Sequence, residues 1–232
     1  MGNSTAFRYK AESKNVLVDV AAICNNTETF FENQPITKKG VEMSKKQLFR
    51  IFINSWRLVF VVFAYRFCSE KEKIDKAISA WNAVKKLPLK GEKAIAYYLL
   101  FYKEFRNLFL HRIRRSCLVG IIKILFPPME TLYLACENIG SGLFIQHGFS
   151  TILAAKSVGE NCWLNQQVTV EYKGEFAPVV EDNVKIFAGA IVIGDVRLEK
   201  GSVVGAGAVV TKNVGAGVTV AGNPAAVIKT RS

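Results

Sequence analysis

An aliphatic residue returns at every sixth position in the second half of the chain, and this repeat restricts the fold more than any other feature. A period of six fits neither an α-helix nor an alternating strand, but it suits a prism-shaped coil with three short flat faces. Four residues after each aliphatic position, a small or β-branched side chain recurs and leaves room inside the coil. The two series are Val180, Ile186, Val192, Leu198, Val204 and Val210, and Val184, Ala190, Val196, Ser202, Ala208 and Val214. The pattern predicts a parallel β-helix.

The same register extends upstream with two irregularities. Its aliphatic positions are Ile139, Ile145, Ile152, Val158, Leu164 and Val170. The step from Ile145 to Ile152 is seven residues, which predicts a bulge just after His147 of the kind found near functional sites. The step from Val170 to Val180 is ten residues, which predicts a loop at 171–179. Its aromatic and charged residues favour a functional arm over a tolerated surface insertion.

Composition divides the chain into two predicted domains. Residues 1–138 carry 23 Lys and Arg against 12 Asp and Glu, whereas residues 139–232 carry 8 against 7. We therefore expect an α+β chain with a mainly helical, basic N-terminal domain at 1–128 and a β-helix domain at 129–232. A basic surface implies an acidic partner, which could be nucleic acid, anionic lipid or an acidic glycan. Nucleic acid ranks last, because the sequence has no zinc-finger spacing, aromatic RNA-binding signature or arginine-rich arm.

Local patterns locate three helices in the first domain. Ser69 and Glu72 have the form of a capping box before an apolar face that ends near Leu87. Further helices are predicted at about 44–67 and 92–115. The apolar run at 58–64 is far shorter than the roughly 20 residues that a membrane span needs. We therefore favour a helix buried in a trimer core over an interfacial membrane helix.

Cysteine usage and the first residues bear on the compartment. Five widely spaced cysteines without a CxxC pair are typical of buried apolar side chains in a reducing compartment. Residues 1–10 lack the apolar core of a secretory signal. We expect a cytoplasmic protein.

Histidine is scarce, which sharpens the search for a catalytic base. The chain has two, His111 and His147. His111 lies in a helical run with several arginines, where neighbouring cations disfavour a second positive charge, so a structural or surface role is favoured. His147 lies on a coil whose inward positions are aliphatic, so its side chain is expected to point outward, where it is accessible to solvent or to a neighbouring subunit.

Four segments together carry a family resemblance: 145–148 (Ile-Gln-His-Gly), 164–170, 205–210 and 221–225. They resemble the hexapeptide-repeat acyltransferases, most closely the serine acetyltransferase-like branch that includes capsular and exopolysaccharide O-acetyltransferases. The resemblance implies a left-handed β-helix, a homotrimer with active sites between adjacent prisms, and acetyl-CoA as co-substrate. No metal is expected, because two histidines are too few for the three-histidine zinc site of a γ-type carbonic anhydrase. A dimer of trimers through the helical domain is a further expectation.

The resemblance also implies roles for individual residues. His147 is the expected single general base of a direct acetyl transfer, in which backbone N–H groups hold the oxyanion. The expected donor-binding residues are Ala188, Gly189, Ala206 and Gly207 beside the pantetheine arm, Lys212 and Lys229 near the phosphates, and Asn223 with Pro224 at the adenine end. The expected acceptor contacts are Gln146, Asn165, Tyr172 and Arg106. The small residues among them are also what the repeat itself requires, and that alternative stays open.

Two departures from the serine-specific enzymes bear on the acceptor. Gln146 stands where those enzymes have an aspartate, and Ala177 stands before Pro178 where they have a second active-site histidine. Because neither residue is suited to an amino acid's charged groups, the leading hypothesis is transfer to a hydroxyl of a polysaccharide or lipid-linked glycan precursor. An acidic glycan or the anionic inner membrane face would attract the basic domain. The alternatives are serine O-acetylation in cysteine biosynthesis and a non-catalytic trimeric scaffold.

Overall fold

The computed structural model describes residues 44–230, in which a series of helices precedes a β-helix. Six helices come first: α1 (Lys45–Ile53), α2 (Ser55–Arg66), α3 (Lys71–Lys85), α4 (Gly91–Phe101), α5 (Lys103–Arg112) and α6 (Val119–Leu125). The boundary that composition predicts at residue 128 stays a prediction, because the two parts share one continuous core.

Fourteen short strands follow, and they build three sheets that run along the coil. Sheet 1 contains β1 (Leu132–Leu134), β3 (Thr151–Leu153), β6 (Thr169–Glu171), β9 (Ile191–Ile193) and β12 (Val209–Val210). Sheet 2 contains β4 (Ser157–Val158), β7 (Val179–Val180) and β10 (Arg197–Leu198). Sheet 3 contains β2 (Phe144–Ile145), β5 (Trp163–Leu164), β8 (Lys185–Ile186), β11 (Val203–Val204), β13 (Val218–Ala221) and β14 (Ala226–Thr230). Pairing is parallel throughout, except that β14 pairs antiparallel with β13. The chain visits the sheets in turn, so the predicted parallel β-helix is confirmed.

The two periodic series fill the interior of the coils. All six aliphatic positions from Val180 to Val210 are buried, and so are the six small or β-branched positions from Val184 to Val214. Neighbouring coils align residue for residue, for example Leu164 with Ile186 and Ile186 with Val204. Each series therefore forms a column of inward side chains along each of the three faces. This stacking is the physical reason for the period.

One upstream position of the predicted register is wrong. Leu153, and not Ile152, points into the coil: Leu153 is fully buried and aligns with Val170. The step from Ile145 is therefore eight residues, and the next step to Val158 is five. The turn after His147 holds two extra residues instead of one.

The segment after β6 leaves the coil. Lys173 and Phe176 pair in a small hairpin whose turn contains Gly174, and the chain rejoins sheet 2 at Val179. Residues 172–176 are exposed, including the rings of Tyr172 and Phe176. An exposed aromatic hairpin is available to contact another molecule.

The helical part differs from its sequence prediction at three places. The capping box forms at Ser44 and Gln47, whereas Glu70 precedes α3 without a side-chain cap. The helix predicted at 92–115 is interrupted at Tyr102, whose backbone is extended. The helix predicted at 44–67 is interrupted at Asn54, and its two halves meet at 76°.

Cysteine burial follows the prediction only in part. Cys136 and Cys162 are buried, and burial raises the pKa of both thiols, that of Cys162 to about 12. Cys68 is half-buried, but Cys117 is exposed, so it is not an apolar core residue. Cys24 lies outside the described residues.

Aromatic packing joins the helices to the first coil. Trp81 of α3 is fully buried and contacts the rings of Tyr98, Phe105 and Phe144. Its indole N–H donates to the carbonyl of Leu143, at 3.0 Å. These contacts hold α3, α4 and α5 against β2.

Helices α1 and α2 carry an exposed apolar stripe. Its side chains are between 52% and 75% exposed, and they are Phe49, Phe52, Ile53, Trp56, Val59, Phe63 and Phe67. The stripe is exposed within one chain, so burial of this segment in a trimer core stays a prediction. Among residues 44–230, no single helix is long and apolar enough to cross a membrane, although the bent pair α1 and α2 reaches the required length and composition together.

Candidate active site

His147 lies at the corner where the chain passes from sheet 3 to sheet 1. In each of four successive coils, the residue two positions after the inward aliphatic residue of sheet 3 occupies this corner, and we call the column the histidine corner. Its members are His147, Gln166, Ala188 and Ala206. With coils about 4.8 Å apart, the column extends about 14 Å from His147 to Ala206.

The backbone turns unusually tightly at His147. Its φ is 67°, and the N–H of Gly148 donates to the carbonyl of Gln146, at 2.9 Å, so His147 is the centre of a three-residue turn. The N–H of Phe149 then donates to the carbonyl of His147, at 2.8 Å. Three-residue turns with positive φ are rare and strained. Two extra residues follow in this coil, and the side chain of His147 is exposed.

In each coil, the residue that follows the histidine corner has a positive φ, and three of these four residues are glycine. Gly148, Gln167, Gly189 and Gly207 all have φ between 59° and 72°, which the turn at the corner requires. A Cβ placed on Gly207 would meet no atom within 4 Å, and one on Gly189 would meet only the backbone of Gly207, at 3.8 Å. The wall beside the column is therefore low and open.

The structure brings together several of the predicted donor-binding residues. Ala188, Gly189, Ala206 and Gly207 continue the line that starts at His147, and the N–H of Gly207 donates to the carbonyl of Ala188. Asn223 and Pro224 follow Gly222, whose carbonyl accepts from Val209, so both stand at the far end of the same corner. A long, extended ligand along this line would have one end beside His147.

Two predicted acceptor residues flank the histidine. Gln146 is half-buried, and its N–H donates to the carbonyl of Leu164, at 2.8 Å. Asn165 lies one coil further on, and its Oδ1 accepts from the indole of Trp163, at 2.6 Å. Both belong to the same corner as His147.

Other predicted residues lie elsewhere in the single chain. Tyr172 and Lys212 occupy the next corner, between sheets 1 and 2, and both are exposed. Lys229 lies on β14, opposite Thr219. Tyr172 would therefore need a neighbouring copy to reach an acceptor at His147, and the predicted contacts of Lys212 and Lys229 with phosphates stay predictions.

Arg106 is engaged in the helical part. Its guanidinium donates to the carbonyls of Leu99, Leu100 and Pro127. Leu99 and Leu100 belong to the last turn of α4, whose carbonyls lack partners within the helix. These bonds give Arg106 a structural role and engage its guanidinium group. The predicted contact of Arg106 with an acceptor stays a prediction, and this geometry does not support it.

His111 is unsuited to act as a base. Burial, together with the positive charges of Arg114 and Arg112, lowers the pKa of His111 to about 4. Its Nε2 is buried without a hydrogen-bond partner in the described part of the chain. Among residues 44–230, no cluster of three or more side chains is arranged to hold a metal ion.

Sequence reasoning missed two residues of this region. Gln166 follows His147 in the column, and its Oε1 is buried without a hydrogen-bond partner among the described residues. Its place in the repeat, one coil after His147, was a signal that could have found it. Glu104 of α5 packs against Gly148, and no sequence pattern indicated that contact.

Comparisons with known proteins agree with this architecture. Residues 177–212 match the family described as bacterial transferase hexapeptide (six repeats). The serine acetyltransferase of Synechococcus elongatus is 31% identical over 143 residues, which cover 56% of this chain and 59% of that relative. The chain thus matches less than two thirds of the length of this relative.

Solved structures share the fold. A serine acetyltransferase from Brucella abortus superposes with a TM-score of 0.53 at 25% identity, covering 69% of each chain. A serine acetyltransferase in complex with CoA superposes with a TM-score of 0.57 at 20% identity, covering 91% of this chain and 99% of that one. The fold is therefore a helical segment followed by a left-handed parallel β-helix, as in these serine acetyltransferase structures. The relatives named here are serine acetyltransferases, and they do not show closeness to capsular O-acetyltransferases.

Proposed function

We propose that this protein is an acetyl-CoA-dependent O-acetyltransferase with His147 as its general base. The observation that carries the proposal is an exposed histidine in a strained turn, at the head of a column that continues through Gln166 to the small residues Ala188 and Ala206. The names of the relatives support the reaction class. A β-helix alone would not, since repeat folds also serve as binding scaffolds.

The chemistry follows from the position of the imidazole. Acetyl-CoA would supply the acetyl group as a thioester. His147 would accept the proton of the acceptor hydroxyl while that oxygen forms a bond to the acetyl carbon, and it would return the proton to the departing sulfur. The exposed corner gives the ring access to both groups.

The donor would lie along the histidine corner. Ala188, Gly189, Ala206 and Gly207 present backbone instead of bulky side chains, which permits close approach of an extended arm. Asn223 and Pro224 would contact its distal end. Lys212 and Lys229 would neutralise the phosphates of CoA. The donor contacted by these lysines could be bound between two copies of the chain.

Two acceptors are candidates, namely free serine and a hydroxyl of a glycan. The relatives named above are serine acetyltransferases, and this favours serine, the alternative, over the glycan expected from sequence. A glycan hydroxyl is favoured by Gln146 and Ala177, which replace the ionisable residues of the serine-specific enzymes. Gln146 lies beside His147, so this difference affects the reacting centre itself.

Assembly would complete the site. A homotrimer would place the hairpin at 172–176 of one copy near the histidine corner of another, which would bring Tyr172 to an acceptor. The exposed stripe of α1 and α2 would serve either a second trimer or an anionic membrane face. Light scattering and flotation with vesicles of phosphatidylserine distinguish the two.

The substitution His147→Ala tests the proposal. We expect thiol release from acetyl-CoA to fall at least about 100-fold, because a general base contributes roughly 10²- to 10⁴-fold. His111→Gln is the matched control, since it removes the other histidine and should retain turnover. The assay compares free serine with a panel of neutral and acidic oligosaccharides.

The possible outcomes separate the hypotheses. Turnover that is near normal in His147→Ala would disprove the assignment of the base. Turnover with serine alone would disprove the glycan hypothesis. If calorimetry detected no binding of CoA, the non-catalytic scaffold would be the remaining hypothesis.

A further inference from the structure

A carboxylate from the helical part lies against the turn that holds His147. A Cβ placed on Gly148 would lie 3.0 Å from Cγ of Glu104 and 3.2 Å from Cδ2 of Leu132. The absence of a side chain at Gly148 therefore makes room for Glu104 beside the turn. The carboxyl carbon is bonded directly to this Cγ, which brings the acidic group to the residue that follows His147.

Helix α5 is fixed against the first coil at this point. The side-chain amide of Asn107 donates to the carbonyls of Met129 and Leu132, both at 2.9 Å, and its oxygen accepts from the N–H of Met129. Asn107 lies three residues after Glu104, so both share one face of α5. This attachment holds Glu104 next to β1 and to the turn.

Two cationic side chains, Lys85 and Arg106, lie within electrostatic range of Glu104. Lys85 of α3 lies 5.6 Å from the ring centroid of Phe144 and 4.9 Å from that of Tyr102. Burial lowers the pKa of Lys85, and the negative charge of Glu104 opposes this effect. Glu104 also acts electrostatically on Tyr102 and Arg106. One carboxylate thus faces a lysine and an arginine at the edge of the candidate site.

Within residues 44–230, neither Glu104 nor His147 is held by a competing side-chain hydrogen bond. Among the described residues, the side chains of Glu104 and His147 make no hydrogen bond to each other or to other groups. Catalytic hydrogen bonds are often loose in the free protein and tighten when the substrate binds. A catalytic imidazole is commonly oriented by a third group, often a carboxylate. The neighbour of His147 in the coil, Gln146, is neutral and does not supply one.

We propose that Glu104 is the positioning residue for His147: its carboxylate orients the imidazole and stabilises the imidazolium that forms when the acceptor hydroxyl loses its proton. This inference rests on the proposed function of His147. The serine-specific enzymes have an aspartate where this protein has Gln146, and Glu104 of α5 would supply the negative charge instead. The helical part would then contribute to the active site in addition to packing against it.

The test compares Glu104→Gln with Glu130→Gln in the full-length protein. Glu130 is an exposed acid on the approach to β1, so its substitution removes the same charge away from Gly148. We expect kcat/KM to fall about 10- to 100-fold in Glu104→Gln, as for other residues that orient a functional group, and to be unchanged in Glu130→Gln. Glu104→Asp should recover part of the loss.

The pH dependence separates positioning from a merely structural effect. If Glu104 stabilises the imidazolium as proposed, its loss should move the acid limb of the kcat/KM profile to lower pH. The same shift should appear without turnover in an NMR titration of the protein labelled with ¹³C-histidine. The chain has two histidines, and the second, His111, titrates separately, with its pKa at about 4.

Each result has one meaning. An unchanged acid limb and an unchanged His147 titration in a folded Glu104→Gln variant would overturn the positioning role. If the wild-type protein released no thiol, the proposed function would fail, and the NMR titration would still decide whether Glu104 and His147 are coupled.

Discussion

Ser202 occupies a position of the small-residue series, and its hydroxyl is buried there without a hydrogen-bond partner among the described residues. Other positions of the same series hold Ala190 and Ala208, and the residues aligned with Ser202 in the neighbouring coils are Val184 and Val218. A buried hydroxyl without a partner costs free energy, whereas a methyl group does not.

We predict that Ser202→Ala raises the free energy of unfolding by about 1 kcal/mol. Urea denaturation measures the change. Ser141→Ala is the control, because the hydroxyl of Ser141 donates to Glu160, at 2.6 Å, and its loss should be destabilising. A less stable Ser202→Ala variant would mean that the hydroxyl is bonded after all.

The register near His147 shows a limit of prediction from the hydrophobic pattern. Ile152 and Leu153 are both aliphatic, so hydrophobicity alone does not choose which of them points inward. Pairing of Leu153 with Val170 makes the choice, and pairing is a property of the folded coil. For the same reason the sequence predicted one extra residue after His147, and the structure has two.

At the scale of elements, Trp81 joins α3 to the first coil. Its ring packs among Tyr98, Phe105 and Phe144, and its N–H bonds the carbonyl of Leu143. Because the first coil has helices on one side instead of another coil, this contact closes one end of the β-helix core.

We expect Trp81→Phe to lower the free energy of unfolding by about 2 kcal/mol, from the lost hydrogen bond and the cavity. Thermal unfolding followed by circular dichroism checks this value. Trp56→Phe, at an exposed site of α2, should change stability by less than about 0.5 kcal/mol. Equal effects of the two substitutions would contradict the packing argument.

Helix boundaries were the least predictable elements. The capping pattern at Ser69 and Glu72 is present in the sequence, but the side-chain bonds form at Ser44 and Gln47. The interruption at Tyr102 is stabilised by Arg106, which bonds the free carbonyls at the end of α4. Such bonds depend on which chain segments meet, so local pattern does not locate them.

At the scale of the whole molecule, His111 links stability to pH. Its pKa of about 4 in the folded protein lies below the ordinary value of 6.5. Between these values the unfolded chain binds a proton that the folded chain does not. Stability therefore decreases as pH falls from about 6.5 towards about 4.

We expect His111→Gln to reduce this loss. Urea denaturation at pH 7 and pH 5 gives the difference in unfolding free energy for each protein, and the difference should be smaller in the variant. His147→Ala is a suitable comparison, since His147 is exposed. An identical pH dependence of wild type and His111→Gln would contradict the assignment.

Sequence by itself determined the β-helix, because every coil offers the same environment and the chain repeats the same side chains to fill it. It also determined the outward position of His147, since the inward positions of its coil are aliphatic. Tertiary structure decided what surrounds that histidine: the extra residues of the turn, the open wall of the column and the acid from α5. Glu104 and Gly148 are far apart in sequence, and only the attachment of α5 to β1 brings them into contact.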